Sequence, residues 1–329
     1  MISEDAMREH LNRFLAPHGR HHDDLVKEVD RGFGQPKLVV VAGSVLQGFG
    51  NPASDVDLHV IVDDGRVTDF HLSFHDLGFA VDVNYVEQGW IEQAALDDAP
   101  PLTNRAEFTT EQRRVTQLGR FALGLPLAGA TQWLDWRAEL VARYAARAAR
   151  LSRNTALRHL IAARELAPHD PLLAAQCYCD AGLAVLTTLA AHAGEPYVNT
   201  KWLGLKLDRM GATELLDDYD RYLDLPCTRA QAPDYLAWAE EAIAASTADW
   251  GLAADPVIGI APAPGVEVWR VRDRHLVHRF GLAGLELVPS EGERVADALT
   301  WSGPLSQLSD TSRALLREEL VWLAVLEDA

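Results

Sequence analysis

The spacing of apolar and polar positions changes character twice along the chain. Residues 3 to 16 repeat apolar positions at helical spacing behind Ser3, a plausible N-cap. A second short helix is predicted after His21-His22-Asp23-Asp24. Leu38 to Gly43, LVVVAG, is a β-branched apolar run that stops at glycine, the pattern of a buried strand. SVLQGFGNPAS follows, rich in Gly, Pro, Ser and Asn, with a turn signal at Asn51-Pro52. From Asp55 the alternation is strict. Asp55, Asp57 and His59 take one face of a strand, and Val56, Leu58 and Val60 take the other. Val67 to Phe74 alternates more weakly, and Asp76-Leu77-Gly78 reads as a hairpin turn. Phe79 to Val86 is a further strand, with Val81, Val83 and Tyr85 opposite Asp82 and Asn84. This order predicts a small mixed sheet covered on one face by the flanking helices.

After Gly89 the period becomes helical. Trp133, Trp136, Leu140 and Tyr144 share one stripe, and so do Leu157, Leu160 and Ile161. Pro171 opens a long apolar helix to about Ala193, and Gly194 is placed to end it. APAPG, Ala261 to Gly265, reads as a linker. Beyond it, VEVWRVR and HLVHRF predict two strands around a turn at Asp273-Arg274, GLELV a third, and helices to the end, including Ser312 to Leu326. The predicted class is α/β (α+β). A mixed-sheet core occupies residues 1–90, a helical bundle residues 91–255, and a small β-hairpin and helix module residues 262–329.

Composition supports this division. A length of 329 residues is too great for one ordinary core, and 48% apolar with 24% charged residues is typical of globular chains. No run reads as long enough to span a bilayer, and the charged, amphipathic N-terminus lacks a signal-like apolar block; a cytoplasmic protein without a membrane partner is expected. A net charge of −18 repels phosphate backbones, which argues against long nucleic acid as a partner. Cys177, Cys179 and Cys227 form no disulfide framework and read as small apolar residues. The histidines, His18, His21, His22, His71 and His75 among them, show no zinc-like spacing.

The chemistry concentrates in GSVLQGFGNPASDVDLHV. Gly43-Ser44 follows a buried strand, a short turn intervenes, and Asp55-Val56-Asp57 opens the next strand. This segment resembles the signature of the polymerase-β-type nucleotidyltransferase superfamily, and its details are similar to those of small-molecule and antibiotic-modifying members. The resemblance covers residues 37 to 86 well and the helical region loosely. It implies a third carboxylate on a nearby strand, a position that Asp82 fits. It also implies two magnesium ions and a nucleoside triphosphate, with ATP favoured.

The physics accords with that arrangement. Residues i and i+2 of a strand share a face, so Asp55 and Asp57 can share metal ions, with Asp82 as a further ligand or as the base for the acceptor hydroxyl. Two ions about 3.5–4 Å apart neutralise a triphosphate and activate the attacking oxygen. Gly43 lets the backbone approach phosphate, and Ser44 offers a hydroxyl and an N–H at a helix start. Small-molecule nucleotidyltransferases carry a segment similar to EPYVNTKWLGLKL, Glu195 to Leu207, which makes Lys201 a triphosphate ligand by resemblance; a solvated lysine beside a core Trp202 is the alternative.

The C-terminal module resembles a winged helix, and also the small peptide-binding modules of peptide natural-product maturation. Arg270, Arg272, Arg274, His275, His278 and Arg279 give it a basic hairpin, whose default reading is a solvated face. The function implied is transfer of a nucleoside monophosphate to a small molecule, such as an aminoglycoside-like antibiotic or a biosynthetic intermediate. A peptide or protein acceptor and an inactive regulatory relative remain as alternatives.

Overall fold

The computed structural model describes residues 2–29, 35–67, 69–96, 102–197, 199–250, 255–272, 274–279, 284–287 and 294–326. It has the mixed α+β architecture that the sequence predicts. α1 (Glu4–Leu15) starts where the Ser3 hydroxyl accepts a hydrogen bond from the Ala6 N–H, and it buries Met7, Leu11 and Leu15. α2 (His22–Lys27) opens with a capping box in which His21 and Asp24 satisfy each other's end of the first turn.

The central sheet contains β1 (Leu38–Ala42), β2 (Val56–Val62), β3 (Asp69–Phe74), β4 (Val81–Glu87) and β5 (Leu125–Gly129). Its order is β3-β4-β2-β1-β5. Only β2 and β4 run parallel, and the other neighbours are antiparallel. Val56, Leu58, Val60, Val81, Val83 and Tyr85 are fully buried, in one core with the apolar face of α1. The apolar half of the alternation thus anchors the strands.

β5 lies inside the stretch that reads as purely helical. It is a five-residue edge strand, LPLAG, between two helices, too short to show a period. Its register breaks opposite Val39 and Val40, where Pro126 sits, as suits a residue with no N–H to offer a ladder.

The helices are α3 (Gln88–Leu96), α4 (Arg105–Leu123), α5 (Thr131–Leu166), α6 (Pro171–His192), α7 (Leu203–Arg209), α8 (Thr213–Leu223) and α9 (Ala232–Ser246). Gly194 follows α6 with a left-handed φ of 92°, as expected of its position. One expectation needs correction here. α6, with 22 residues, is long and apolar enough to cross a membrane by length and composition, although 61% of its most apolar window is buried within the protein. A core helix of a folded protein passes the same test. Of the cysteines, Cys179 is buried, Cys177 partly so, and Cys227 exposed.

The C-terminal residues form β6 (Val257–Pro262), β7 (Val266–Val271), β8 (Arg274–Arg279), β9 (Leu285–Leu287), α10 (Val295–Leu299), β10 (Trp301–Pro304), α11 (Asp310–Arg317) and β11 (Val321–Val325). β7 and β8 make the expected hairpin, and β9 extends it; Asp273, in the predicted turn, lies outside the described residues. The APAPG stretch is not all linker, because Ala261 and Pro262 pair in β6 with Trp322 and Val321. The predicted helix from Ser312 to Leu326 is corrected. α11 stops, Glu319 turns left-handed at φ 55°, and Leu320 N–H closes on the Leu315 carbonyl at 2.9 Å. VWLAV then forms a buried strand, the state that β-branched and aromatic residues favour on a pleated surface.

The chain divides into two compact units. One comprises Met1–Ala99, Arg113–Ala149 and Ala190–Lys206; the other comprises Pro100–Gln112, Arg150–Leu189 and Leu207–Ala329. In the second unit, Leu157 and Ile161 of α5 share a core with Ile258, Ile260, Leu315 and Leu323. Asn154 Nδ2 donates to the Val325 carbonyl at 3.1 Å, and Arg158 Nε donates to that of Leu323 at 2.7 Å. The Arg158 guanidinium also lies over the rings of Phe108 and Trp322, at 4.7 and 4.2 Å. Burial lowers its pKa to about 10.

Deleting residues 256–329 should therefore not leave an independently folded remainder. It exposes Leu157 and Ile161 and strips Asn154 and Arg158 of these carbonyl partners. The expected outcome is an aggregating chain, or one that loses its cooperative thermal transition. A soluble, monomeric truncation that melts as the full chain does would refute the shared core.

Candidate active site

The register of the central sheet aligns its polar side chains in rungs. Ala42, Asp57, Asp82 and Ser73 form one rung across β1, β2, β4 and β3; Val40, His59, Asn84 and His71 form the next. Asp55 precedes β2 by one residue and lies two before Asp57. One carboxylate oxygen each from Asp55, Asp57 and Asp82 lie within 4.8 Å of one another. The parallel pairing of β2 and β4 produces this, since it puts Asp57 directly beside Asp82.

Gly43 occupies a left-handed conformation, φ 88°, at the end of β1, and a Cβ at that position would overlap the Asp57 carboxylate. The glycine is required by its neighbour as well as by its backbone. Ser44 begins a single turn, not a full helix. The turn is closed by Gly48 N–H to the Val45 carbonyl at 3.1 Å and Phe49 N–H to that of Ser44 at 2.9 Å. His10 of α1 supports it, with Nδ1 2.9 Å from the Leu46 carbonyl.

Lys201 is exposed, and its backbone N–H is capped by Asn199 Oδ1 at 3.0 Å. Its ammonium sits over the Trp202 ring at 4.7 Å. Trp202 stacks on Phe49, with centroids 5.5 Å apart and planes 23° from parallel. An aromatic pair therefore joins the Lys201 segment to the turn that begins at Ser44. Lys201 pairs with no carboxylate among the described residues.

The neighbouring carboxylates disturb the titration of Asp57. The Asp57 pKa rises to about 6; burial is the largest cause and the Asp55 charge the next, partly offset by Arg120. Burial, and then Asp57, also raise the Tyr197 phenol. Asp82 accepts a hydrogen bond from Ser73 Oγ at 2.5 Å, and its other oxygen is 3.6 Å from His71 Nε2. His59 is fully buried beneath the acidic rung, with no hydrogen-bond partner for either ring nitrogen among the described residues. Its pKa is held well below the ordinary value, chiefly by burial.

Sequence reading missed Arg120, Tyr197, His71 and Ser73 as neighbours of the acidic cluster. Tyr197 sits inside the EPYVNTKWLGLKL segment, and Ser73 alternates onto the polar face of β3, so each left a faint signal. Arg120 left none, being one arginine of an amphipathic helix. Three carboxylates offering only oxygen donors fit a hard ion such as magnesium. The other close group of potential ligands among the described residues, His21, His22 and Asp23, lies at the capped first turn of α2.

Residues 22–114 match the family described as nucleotidyltransferase domain. This part of the chain is a nucleotidyltransferase domain of the polymerase-β type. Gly43, Ser44, Asp55, Asp57 and Asp82 all fall within the matched residues, and Lys201 falls outside them. No curated protein matches the chain. Among solved structures it is similar to a nucleotidyltransferase-like protein from Exiguobacterium sibiricum 255-15. That likeness is 13% identity over 83% of this chain and 95% of that one, at a TM-score of 0.32.

The raised pKa of Asp57 has a measurable consequence for the nucleotidyltransferase domain. The folded chain holds this proton more tightly than the unfolded chain does. Ionising Asp57 therefore weakens the fold as pH rises from about 4 through about 6, and the whole penalty is present above that. Asp57→Asn should stabilise the protein by about 1–3 kcal/mol at pH 7.5 in chelator, with the gain gone near pH 4. Urea unfolding at the two pH values is the check, and an equal effect at both would contradict it.

Proposed function

We propose that this chain transfers a nucleoside monophosphate from a nucleoside triphosphate, with ATP favoured, to a hydroxyl of a small molecule. The observation that carries the reading is the gathering of Asp55, Asp57 and Asp82 beside the Gly43-Ser44 turn, inside a nucleotidyltransferase domain. The acceptor oxygen attacks the α-phosphorus, the bond to the bridging oxygen breaks, and pyrophosphate leaves with that electron pair. Asp55, Asp57 and Asp82 would hold magnesium, which supplies charge neutralisation on the phosphates and lowers the pKa of the attacking hydroxyl. Asp82 takes the acceptor proton or serves as ligand for the second ion. Gly43 and Ser44 line the phosphate end, and Lys201 meets the triphosphate tail as a point charge. A chain of net charge −18 is suited to cationic acceptors, such as aminoglycoside-like compounds, over polynucleotides.

A peptide or protein acceptor is the second reading. The edge strand β7 favours it, since Val268, Trp269 and Val271 are exposed there alongside Arg270 and Arg272.

Incubating the protein with each of the four nucleoside triphosphates, magnesium and a panel of hydroxyl acceptors tests both readings. Mass spectrometry identifies the adduct, and a coupled assay follows pyrophosphate. Chelation should stop the reaction. Asp55→Ala and Asp57→Ala should abolish it with the fold intact, and wild-type turnover in either variant would sink the assignment. Lys201→Ala should weaken triphosphate binding by about 1.5–3 kcal/mol, typical of a hydrogen bond to a charged group. An unchanged dissociation constant by calorimetry would return Lys201 to the solvated surface.

A further inference from the structure

Asp55 and Asp57 are fixed relative to each other by one strand, whereas Asp82 reaches the cluster from β4. The terminal torsion of an aspartate is broad, so strand pairing alone does not set the plane of its carboxylate. Ser73 does. It lies directly opposite Asp82 in the antiparallel β3–β4 ladder, and its hydroxyl donates to Asp82 Oδ1 at 2.5 Å. Ser73 is exposed and free to hydrogen-bond to water instead, and its Oγ is also 3.5 Å from His71 Nε2. Oδ1 is thus engaged by Ser73 and Oδ2 lies 3.6 Å from His71 Nε2, so the Asp82 carboxylate is held from the β3 side while Asp57 is its neighbour on the other.

We propose that Ser73 is a positioning residue that orients Asp82 as a metal ligand in the Asp55–Asp57–Asp82 cluster. This rests on the metal-dependent reading above and adds to it a part for β3, the edge strand that the sequence left with no function. Hydrogen-bond partners of ligating carboxylates typically alter metal affinity by about 10–100-fold when removed.

The test is a manganese titration of the full chain followed by electron paramagnetic resonance. Adenosine α,β-methylene triphosphate, which cannot be cleaved at the reacting bond, is present throughout. Wild type should bind two ions, and Asp82→Asn should lose one of them. Ser73→Ala and Ser73→Val should bind that same ion at least about 10-fold more weakly and leave the other unchanged. Ser73→Thr, which keeps the hydroxyl in the shape of valine, should restore it. If Asp82→Asn loses an ion while Ser73→Ala binds both as wild type does, the role of Ser73 falls and the metal reading stands. If wild type binds no ion, or Asp82→Asn binds both unchanged, the metal reading falls and takes the role of Ser73 with it. Equal weakening of both ions together with a lower unfolding temperature in Ser73→Ala would mark a purely structural residue and also overturn the proposal.

Discussion

Like charges resist being gathered, and the polar face of the central sheet gathers three. One carboxylate oxygen each from Asp55, Asp57 and Asp82 come within 4.8 Å of one another, with only partial counter-charge among the described residues. The surrounding fold holds them against that repulsion. Leu58, Val60, Val83 and Tyr85, buried on β2 and β4, lock the parallel register that sets Asp57 beside Asp82. A slip of one residue would send every one of these side chains to the wrong face. Gly43 leaves out a Cβ that would occupy the space of the Asp57 carboxylate. Arg120 supplies a partial counter-charge.

What was legible in the sequence follows from which forces are local. The alternation of Asp55, Asp57 and His59 with buried valine and leucine marked β2 without tertiary information, because burial on one face imposes a period of two. β4 was legible for the same reason, and α1 by its N-cap Ser3; α2 begins at His22, inside the His21-His22-Asp23-Asp24 run after which the sequence predicts it. β5 was hidden because LPLAG is a strand only by virtue of pairing with β1. VWLAV was misread because a short apolar run after a helix continues the helical pattern until Glu319 breaks it. At the site, the carboxylates were legible as a motif, but their company was not. Ser73 and His71 depend on the cross-strand register, and Arg120 and Tyr197 on the packing of segments distant in the chain.

His59 shows that the strain extends below the acidic rung. A histidine with both ring nitrogens unpartnered among the described residues costs stability that a leucine there would not. It alternates with apolar residues as regularly as Asp57 does, so the pattern that points to the candidate site does not separate a ligand candidate from a buried ring. Only burial distinguishes them, since His59 is wholly enclosed and Asp57 keeps a path to solvent.

These constraints link function to stability in one direction. The repulsion and burial that raise the Asp57 pKa weaken the folded chain when all three carboxylates are ionised, and a bound divalent cation would reverse that penalty. The aromatic stack of Phe49 on Trp202 then takes on a second meaning. It packs the turn beginning at Ser44 against the segment carrying Lys201, the lysine that the proposed reaction assigns to the triphosphate tail. In the proposed enzyme the cation and the nucleotide complete a charge balance that the polypeptide leaves open, and each should bind more tightly in the presence of the other.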